Sequence, residues 1–233
     1  MRPVNRGPVP QTDGRPKIYA KYQDARLDLI ECIGEYCSYC EMRHESAIAV
    51  EHIQPKDPGL HPELELEWTN FLLACSHCNS IKGNKDVVLD DLFWPDRDNT
   101  FLALRYGPGG VVTANSDLPS EDQAKAYNLI RLVGLDRRPG HPSASKNDLR
   151  WKYRREAWDK ANLFLSWWQK DRCEDHAQAI VELVASKGYW SIWMTVFKDE
   201  PEMLRRFLDA IPGTALECFD DRCAARPRNG DQI

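Results

Sequence analysis

The sequence predicts an α+β protein in which a small zinc-binding core lies inside a mostly helical chain. Three observations support this fold class. Two C-x-x-C pairs, one at 37–40 and one at 75–78, have the ligand spacing of a structural zinc site. A short run rich in β-branched residues, 48–53, lies between the pairs and indicates a strand. From Ser120 onwards, apolar residues recur at helical spacing, which predicts helices over most of the second half.

The composition is typical of a folded globular protein. The chain has 233 residues, of which 42% are apolar and 10% aromatic, and these fractions argue against disorder. It contains no run of about eighteen apolar residues, so no membrane span is predicted. Residues 1–6 are polar and lack the apolar core of a signal peptide. We therefore expect a cytoplasmic protein.

The eight cysteines fall into two groups. Disulfides are not expected, because the chain has no secretion signal and is long enough to form a core. Two turns with a two-residue gap complete a tetrahedral thiolate shell, whereas a redox motif or a chance pairing explains only one pair. We call the four predicted zinc ligands the cysteine cluster: Cys37, Cys40, Cys75 and Cys78. The others are predicted to be free thiols: Cys32, Cys173, Cys218 and Cys223.

The predicted elements divide the chain into three parts. Residues 1–17 contain four prolines and are expected to form an extended N-terminal arm. Residues 18–115 are predicted to form the zinc-bound domain, and residues 116–233 a helical C-terminal domain. Apart from the strand, the predicted elements are a helix over 18–33, a hairpin over 100–113, and helices over 120–134, within 143–170, and over 175–187 and 201–210.

Residues suited to phosphodiester hydrolysis lie beside the cysteine pairs. Glu51 and Asn79 offer the hard oxygen ligands that Mg²⁺ or Mn²⁺ prefers. His52 has a pKa suited to removing a proton from water near neutral pH, and Asn70 could accept its other ring N–H. Neighbours on a strand point to opposite faces, so Glu51 and His52 converge only if the strand ends or bulges there; Pro55 favours an ending.

Each of these residues has a structural alternative. His52 could be a buried core histidine, and Glu51 could be a surface carboxylate. Asn70 could stabilise a turn, and Asn79 could cap the following helix. Three more histidines of the same block are rival candidates: His44, His61 and His77.

Positive charge is concentrated in one segment. The formal net charge of −5 is unfavourable for phosphate binding. Between residues 137 and 160, however, eight basic residues accompany three acidic ones. Arg150 and Arg154 of this segment are predicted to contact nucleic acid, with a solvated helix face as the equal alternative. Lys56 and Lys82, beside the predicted site, are further candidates for phosphate contacts, although solvated lysines are as common.

The order of the motifs resembles that of the HNH, or His-Me finger, nucleases. The resemblance rests on C-x-x-C, then Glu51-His52-Ile53, then N-x-x-L-A-C-x-x-C-N over 70–79, then Lys82-Gly83. It implies a zinc-bound ββα-metal core with His52 as the general base, oriented by Asn70. It also implies that Glu51 and Asn79 bind a catalytic Mg²⁺ or Mn²⁺. The family often has aspartate and histidine at these two ligand positions, and both exchanges keep a metal-binding group.

The similarity extends to other parts of the chain. Residues 1–4, the stretch 126–136 and the basic helix after it resemble the HNH subunits of bacterial anti-phage systems, of the Septu and retron-linked types. In those systems an ATPase accompanies the nuclease. The resemblance implies a metal-dependent endonuclease that hydrolyses nucleic acid, DNA by default and RNA as a possibility, with an ATPase partner.

Two other functions are compatible with the sequence. One is a zinc-dependent nucleic-acid-binding module without catalysis, and the other is a scaffold that recruits an ATPase through its C-terminal helices. A relic nuclease would be expected to lose at least one catalytic residue. The complete set therefore favours the nuclease: Glu51, His52, Asn70 and Asn79.

Overall fold

The computed structural model describes residues 1–228 and 233 and shows an α+β fold. The strands of this part pair antiparallel, two by two. In chain order they are β1 (Gln11–Thr12), β2 (Arg15–Pro16), β3 (Ala49–His52), β4 (Phe71–Ala74), β5 (Leu104–Gly107) and β6 (Val111–Ala114). The helices are α1 (Arg26–Ile33), α2 (Ser76–Lys82), α3 (Thr100–Ala103), α4 (Ser120–Val133), α5 (Arg150–Lys170), α6 (Glu174–Lys187), α7 (Trp190–Val196) and α8 (Pro201–Ala210). Within the described ranges, none of them is long and apolar enough to cross a membrane.

The ββα unit predicted around the cysteine cluster consists of β3, β4 and α2. β3 pairs with β4 from Ala49 opposite Ala74 to His52 opposite Phe71, and every residue of β4 is buried. α2 follows after Cys75, whose thiol accepts the backbone N–H of Cys78 as the N-cap. The register places the start of β3 beside the residue that leads into α2, and the last turn of α2 lies beside the end of β3, where Lys82 donates to the carbonyl oxygen of His52.

The buried side chains form two clusters. The N-terminal core contains β3, β4, α1 and the cysteine cluster together with α4, whose Leu129, Ile130 and Val133 are all buried in it. The C-terminal core contains residues from α5 to α8, such as Trp168 and Trp193. The apolar face of α4 packs against the zinc-binding unit, so α4 belongs to the N-terminal core, while the domain boundary at 115/116 stays a prediction.

Residues 1–4 lie in the interior, which corrects the prediction of an extended arm for this part. Met1 and Val4 are buried, and so is Arg2. The guanidinium of Arg2 donates to the carbonyl oxygens of Ile33 at 2.7 Å and Pro212 at 2.8 Å. These buried acceptors satisfy the charged side chain, so the segment bridges the two cores instead of extending into solvent.

Two predicted elements begin elsewhere than expected. The first helix starts at Arg26, after a 3₁₀ turn over Tyr22–Ala25, and Ile18 is left exposed. The apolar run predicted as the first hairpin strand is helical over Thr100–Ala103, because the side chain of Asn99 accepts the N–H of Phe101 at 3.1 Å and caps this turn. The hairpin is formed by β5 and β6 instead. The predicted helices over 120–134, 175–187 and 201–210 are confirmed as α4, α6 and α8.

Gly188 allows the C-terminal core to approach the cysteine-rich unit. Its φ is +75°, and a Cβ there would overlap the carbonyl oxygen of Glu41. Gly140 also has a positive φ, +94°, but nothing lies within 4 Å of the corresponding Cβ position. A side chain at Gly140 would therefore cause backbone strain alone, whereas a side chain at Gly188 would cause both backbone strain and steric overlap.

We expect Gly188→Ala to destabilise the protein much more than Gly140→Ala, as measured by urea denaturation. Gly140→Ala should cost about 1–2 kcal/mol from the left-handed backbone alone. Gly188→Ala should cost roughly 1–3 kcal/mol beyond that, from overpacking. Equal losses for the two variants would show that the contact between Gly188 and Glu41 is not tight.

Candidate functional site

The geometry of the cysteine cluster fits zinc. All four side chains are buried, and their sulfur atoms all lie within 4.8 Å of one another. The Sγ atoms of Cys40 and Cys75 are 3.7 Å apart. A tetrahedral zinc ion with Zn–S bonds of about 2.3 Å places its sulfur ligands about 3.8 Å apart. The predicted zinc ligands are therefore brought together, in a closed and buried arrangement that leaves no position for substrate.

Backbone hydrogen bonds fix the two cysteine turns against each other. The N–H of Ser38 donates to the carbonyl of Leu73 in β4 at 2.8 Å, which attaches the first turn to the strand that leads into the second. Within the first turn the N–H of Cys40 points at the Sγ of Cys37 at 3.5 Å. Such N–H groups stabilise thiolate ligands and orient them toward the ion.

Arg150 lies against the cysteine cluster, which corrects its predicted role as a nucleic-acid contact. It is 2% exposed. Its guanidinium donates to the Sγ of Cys78 at 2.9 Å, to the carbonyl oxygens of Val133 and Gly134, and to Asp148. Burial alone would lower the pKa of Arg150, but Asp148 and the nearby thiols raise it above its usual value. A zinc ion with four thiolates is doubly negative, so this buried cation neutralises part of the charge.

Arg154, one turn further along α5, is also structural. It is 3% exposed and donates to the carbonyl oxygens of Gly110 at 3.0 Å and Leu135 at 2.6 Å. These acceptors attach α5 to the β5–β6 hairpin and to the segment after α4. The prediction that Arg154 contacts nucleic acid is therefore corrected too. The segment is basic, as the sequence indicated, but the side chain of Arg154 points into the protein.

A small cleft of about 160 Å³ separates β3 from α2. We call it the β3–α2 cleft. Glu51 and His52, the last two residues of β3, both line this cleft. The predicted residues that line it are Glu51, His52, Lys56, Asn79 and Lys82.

His52 is held by a single backbone contact and two aromatic rings. Its Nε2 lies 3.0 Å from the carbonyl oxygen of Glu65. A carbonyl only accepts, so Nε2 carries the proton and Nδ1 keeps the lone pair. The ring lies between Tyr22 and Phe71, at centroid distances of 4.8 and 5.3 Å. Burial lowers the pKa of His52, while the Glu65 carbonyl acts in the opposite direction. The neutral form, which can accept a proton, is therefore favoured.

The side chain of Asn70 forms no hydrogen bond with the ring of His52, which corrects its predicted role as the acceptor of the ring N–H. Its Oδ1 accepts the N–H of Gln54 at 2.8 Å, and its Nδ2 donates to the carbonyl oxygens of Gln54 at 2.9 Å and Leu64 at 3.2 Å. These bonds tie together the two ends of the loop between β3 and β4. Leu64 directly precedes Glu65, so the bond from Asn70 to Leu64 helps to position the Glu65 carbonyl that holds His52. Asn70 thus acts on His52 through the main chain.

Glu51 and Lys82 form a buried ion pair at the floor of the cleft. Glu51 is 3% exposed and Lys82 is 1% exposed. The Nζ of Lys82 lies 2.8 Å from Oε1 of Glu51 and donates to the carbonyl oxygen of His52 at 2.6 Å. Burial raises the pKa of Glu51, and Lys82 partly offsets this. Lys82 was predicted to contact phosphate at the surface, and this prediction is corrected. The side chain instead stabilises the carboxylate of Glu51 and the end of β3.

Two side chains at the cleft carry oxygen atoms of the kind that hard divalent cations prefer. The carboxylate of Glu51 and the amide of Asn79 both line it. Asn79 lies within α2, and the N-cap is Cys75, so capping does not occupy the amide of Asn79. Two protein oxygens, with water and phosphate completing the shell, are typical of Mg²⁺ sites.

The three rival histidines lie outside the β3–α2 cleft, whereas Lys56 lies at its rim. His44, His61 and His77 do not line the β3–α2 cleft. His61 is instead 3.1 Å from a carboxylate oxygen of Asp86. Lys56 lies at the rim of the cleft, where its Nζ is 2.8 Å from Oε1 of Glu65 and 4.5 Å from the ring centroid of Tyr22. Of the four residues predicted to bind nucleic acid, only Lys56 has its charge at the surface of the cleft.

The comparisons with known proteins agree with this arrangement. Residues 37–85 match the family model described as HNH endonuclease. Septu protein PtuB of Bacillus thuringiensis is 36% identical over 76 residues, which cover 31% of this chain and 29% of that protein. The match thus spans less than a third of the relative's length. The cysteine cluster and most residues of the β3–α2 cleft lie within the matched segment. We conclude that residues 37–85 form a domain of the HNH endonuclease type, in a chain that is similar over part of its length to the Septu protein PtuB.

Proposed function

We propose that the protein is a metal-dependent HNH endonuclease that hydrolyses phosphodiester bonds of nucleic acid, with DNA as the first substrate to test and RNA as the second. One observation carries the proposal. His52 has one ring nitrogen held by a backbone carbonyl and lines the same cleft as Glu51 and Asn79. A fixed base beside oxygen ligands is the arrangement that metal-assisted hydrolysis requires.

His52 would act as the general base. Its Nδ1 takes a proton from a water molecule, and the water oxygen attacks the phosphorus while the 3′ oxygen leaves. The imidazolium that forms still donates from Nε2 to the Glu65 carbonyl, which stabilises its positive charge. Glu51 and Asn79 would hold the Mg²⁺ or Mn²⁺ ion. This ion would stabilise the negative charge that develops on the phosphoryl group and the leaving oxygen.

Three exposed or half-buried cations are suited to guide the substrate strand. Lys56 lies at the rim of the cleft. Lys85 follows α2 and donates to the carbonyl of Ile81 at 2.8 Å, and Arg137 packs over Gly134 beside Ile81. Burial, Arg137 and Lys82 lower the pKa of Lys85, as expected where positive charges are close. We propose that Lys56, Lys85 and Arg137 contact phosphates, in place of Arg150 and Arg154.

We further propose that the protein is a cytoplasmic effector of a bacterial anti-phage system and works with an ATPase. The similarity to a Septu protein supports this role. The net charge of −5 also suits a nuclease that binds nucleic acid weakly on its own. A host strain that carries this gene together with the gene of the proposed ATPase partner should plate phage less efficiently than the same strain with His52→Ala.

His52→Ala should reduce cleavage by about 10²–10⁴-fold, because the general base is lost. The measurement is cleavage of supercoiled plasmid and, separately, of RNA by the zinc-loaded protein in Mg²⁺ or Mn²⁺, with and without the ATPase. His61→Ala is the matched control, since this histidine lies outside the cleft and should leave the rate unchanged.

Two results would contradict the nuclease. Equal cleavage by wild type and His52→Ala would place the base elsewhere or indicate a contaminant. Absence of cleavage in every condition, with phage protection unaffected by His52→Ala, would favour a recruiting scaffold.

Lys82→Met should destabilise the protein by about 3–5 kcal/mol in buffer without Mg²⁺ or Mn²⁺, because a buried carboxylate loses its partner. Adding Mn²⁺ should restore part of this stability in urea denaturation, since an ion held by Glu51 replaces the missing positive charge. The double variant Glu51→Gln/Lys82→Met should not respond. An equal response of the double variant would show that Glu51 is not a metal ligand.

A further inference from the structure

A second group of metal-ligating side chains lies far along the chain from the HNH domain, where α5 meets α6. The ligand atoms of Asp171, Cys173 and His176 all lie within 4.8 Å of one another. Among residues 1–228 and 233, the cysteine cluster is the other group of three or more such side chains that comes together in this way. The sequence alone predicted Cys173 to be a free thiol, because it lies apart from the two C-x-x-C pairs.

The backbone between the helices places these side chains on one side. Asp171 and Cys173 are both extended, with φ of −148° and −106°. In extended backbone, residues two apart point the same way and the residue between them points the other way. Arg172 accordingly turns away and forms an ion pair with Glu200 at 2.9 Å. This ion pair anchors the linker and keeps Asp171 and Cys173 on the opposite side.

His176 completes the group from the first turn of α6. Cys173 is the N-cap of α6, but its thiol accepts no capping hydrogen bond and remains available. His176 lies three residues later, on the same side of the first turn. Its Nδ1 lies 2.9 Å from the carbonyl oxygen of Asp171 and 3.9 Å from the carboxylate Oδ2 of the same residue, so this ring nitrogen is on the side of the predicted ligands. A zinc ion would take the lone pair of Nδ1 in place of the hydrogen bond to the carbonyl.

We propose that Asp171, Cys173 and His176 form a second zinc site that joins the end of α5 to the start of α6. One thiolate, one imidazole and one carboxylate suit Zn²⁺, with water as the fourth ligand. The thiolate disfavours Mg²⁺, which prefers oxygen ligands. The two negative ligands balance the charge of the ion, so the positive end of the α6 dipole does not oppose binding.

This second site differs from the cysteine cluster in accessibility. Asp171 is exposed, and Cys173 and His176 are half-buried, whereas the four cysteines are buried. An ion at the second site therefore exchanges with solvent, and its occupancy follows the free zinc concentration. Binding would add a further link between α5 and α6, which already pack against each other in the C-terminal core.

The test is the zinc content of the full-length protein after dialysis against a zinc buffer at micromolar free zinc with millimolar Mg²⁺. We expect two zinc ions per wild-type chain and one per chain for Cys173→Ser and for His176→Ala. Cys32→Ser is the matched control, because Cys32 is also a partly exposed free cysteine but belongs to no such group, and it should keep two.

A second measurement distinguishes the two ions by exchange. A mild chelator should remove one zinc from wild type while the circular dichroism of the fold is retained, and the thiol of Cys173 should then react faster with an alkylating reagent. One zinc per wild-type chain under these conditions would overturn the proposal, as would a second zinc that survives in both Cys173→Ser and His176→Ala.

Discussion

The cysteine cluster and the buried guanidinium of Arg150 are the constraint on which the rest of the structure depends. Four thiolates around one zinc ion leave a negative charge inside the protein, and such a charge is tolerated only with a partner. Arg150 supplies that partner through Cys78 and uses its other donors on the carbonyl groups that end α4. These contacts fix the zinc-binding unit, α4 and α5 relative to one another, independently of how the C-terminal helices pack.

The candidate active site inherits its geometry from this arrangement. α2 starts at a zinc ligand and carries both Asn79 and Lys82, and β4 leads directly into the same ligand. The position of His52 follows from the β3–β4 register, and its orientation follows from the carbonyl of Glu65. The catalytic groups of the proposed mechanism are therefore positioned mostly by backbone contacts. The Glu51–Lys82 pair is the exception, in which two charged side chains stabilise each other in a buried position.

The sequence was most informative where local chemistry decides the outcome. The two C-x-x-C turns, the strand at 48–53 and the helices over 120–134, 175–187 and 201–210 follow from spacing and periodicity. Errors arose where tertiary contacts decide. The charges of Arg150, Arg154 and Lys82 suggested a surface that binds phosphate, but buried acceptors draw these side chains inward. No sequence pattern could reveal the role of Glu65, because its backbone carbonyl and not its side chain holds His52. Asn70 was predicted to accept the ring N–H of His52, but its side chain bonds the main chain of Gln54 and Leu64, and these contacts depend on the folded loop.

α5 has a consequence for how the molecule comes apart. Its first turns carry Arg150 and Arg154, which bind groups of the N-terminal core, while its later turns place Ala161 and Trp168 in the C-terminal core. A single continuous helix thus belongs to both cores. Unfolding of one end of α5 therefore removes contacts that stabilise the other core. Heating should consequently unfold the two cores together in one cooperative calorimetric transition. Loss of zinc from the cysteine cluster should also change the surroundings of the tryptophans in the C-terminal helices.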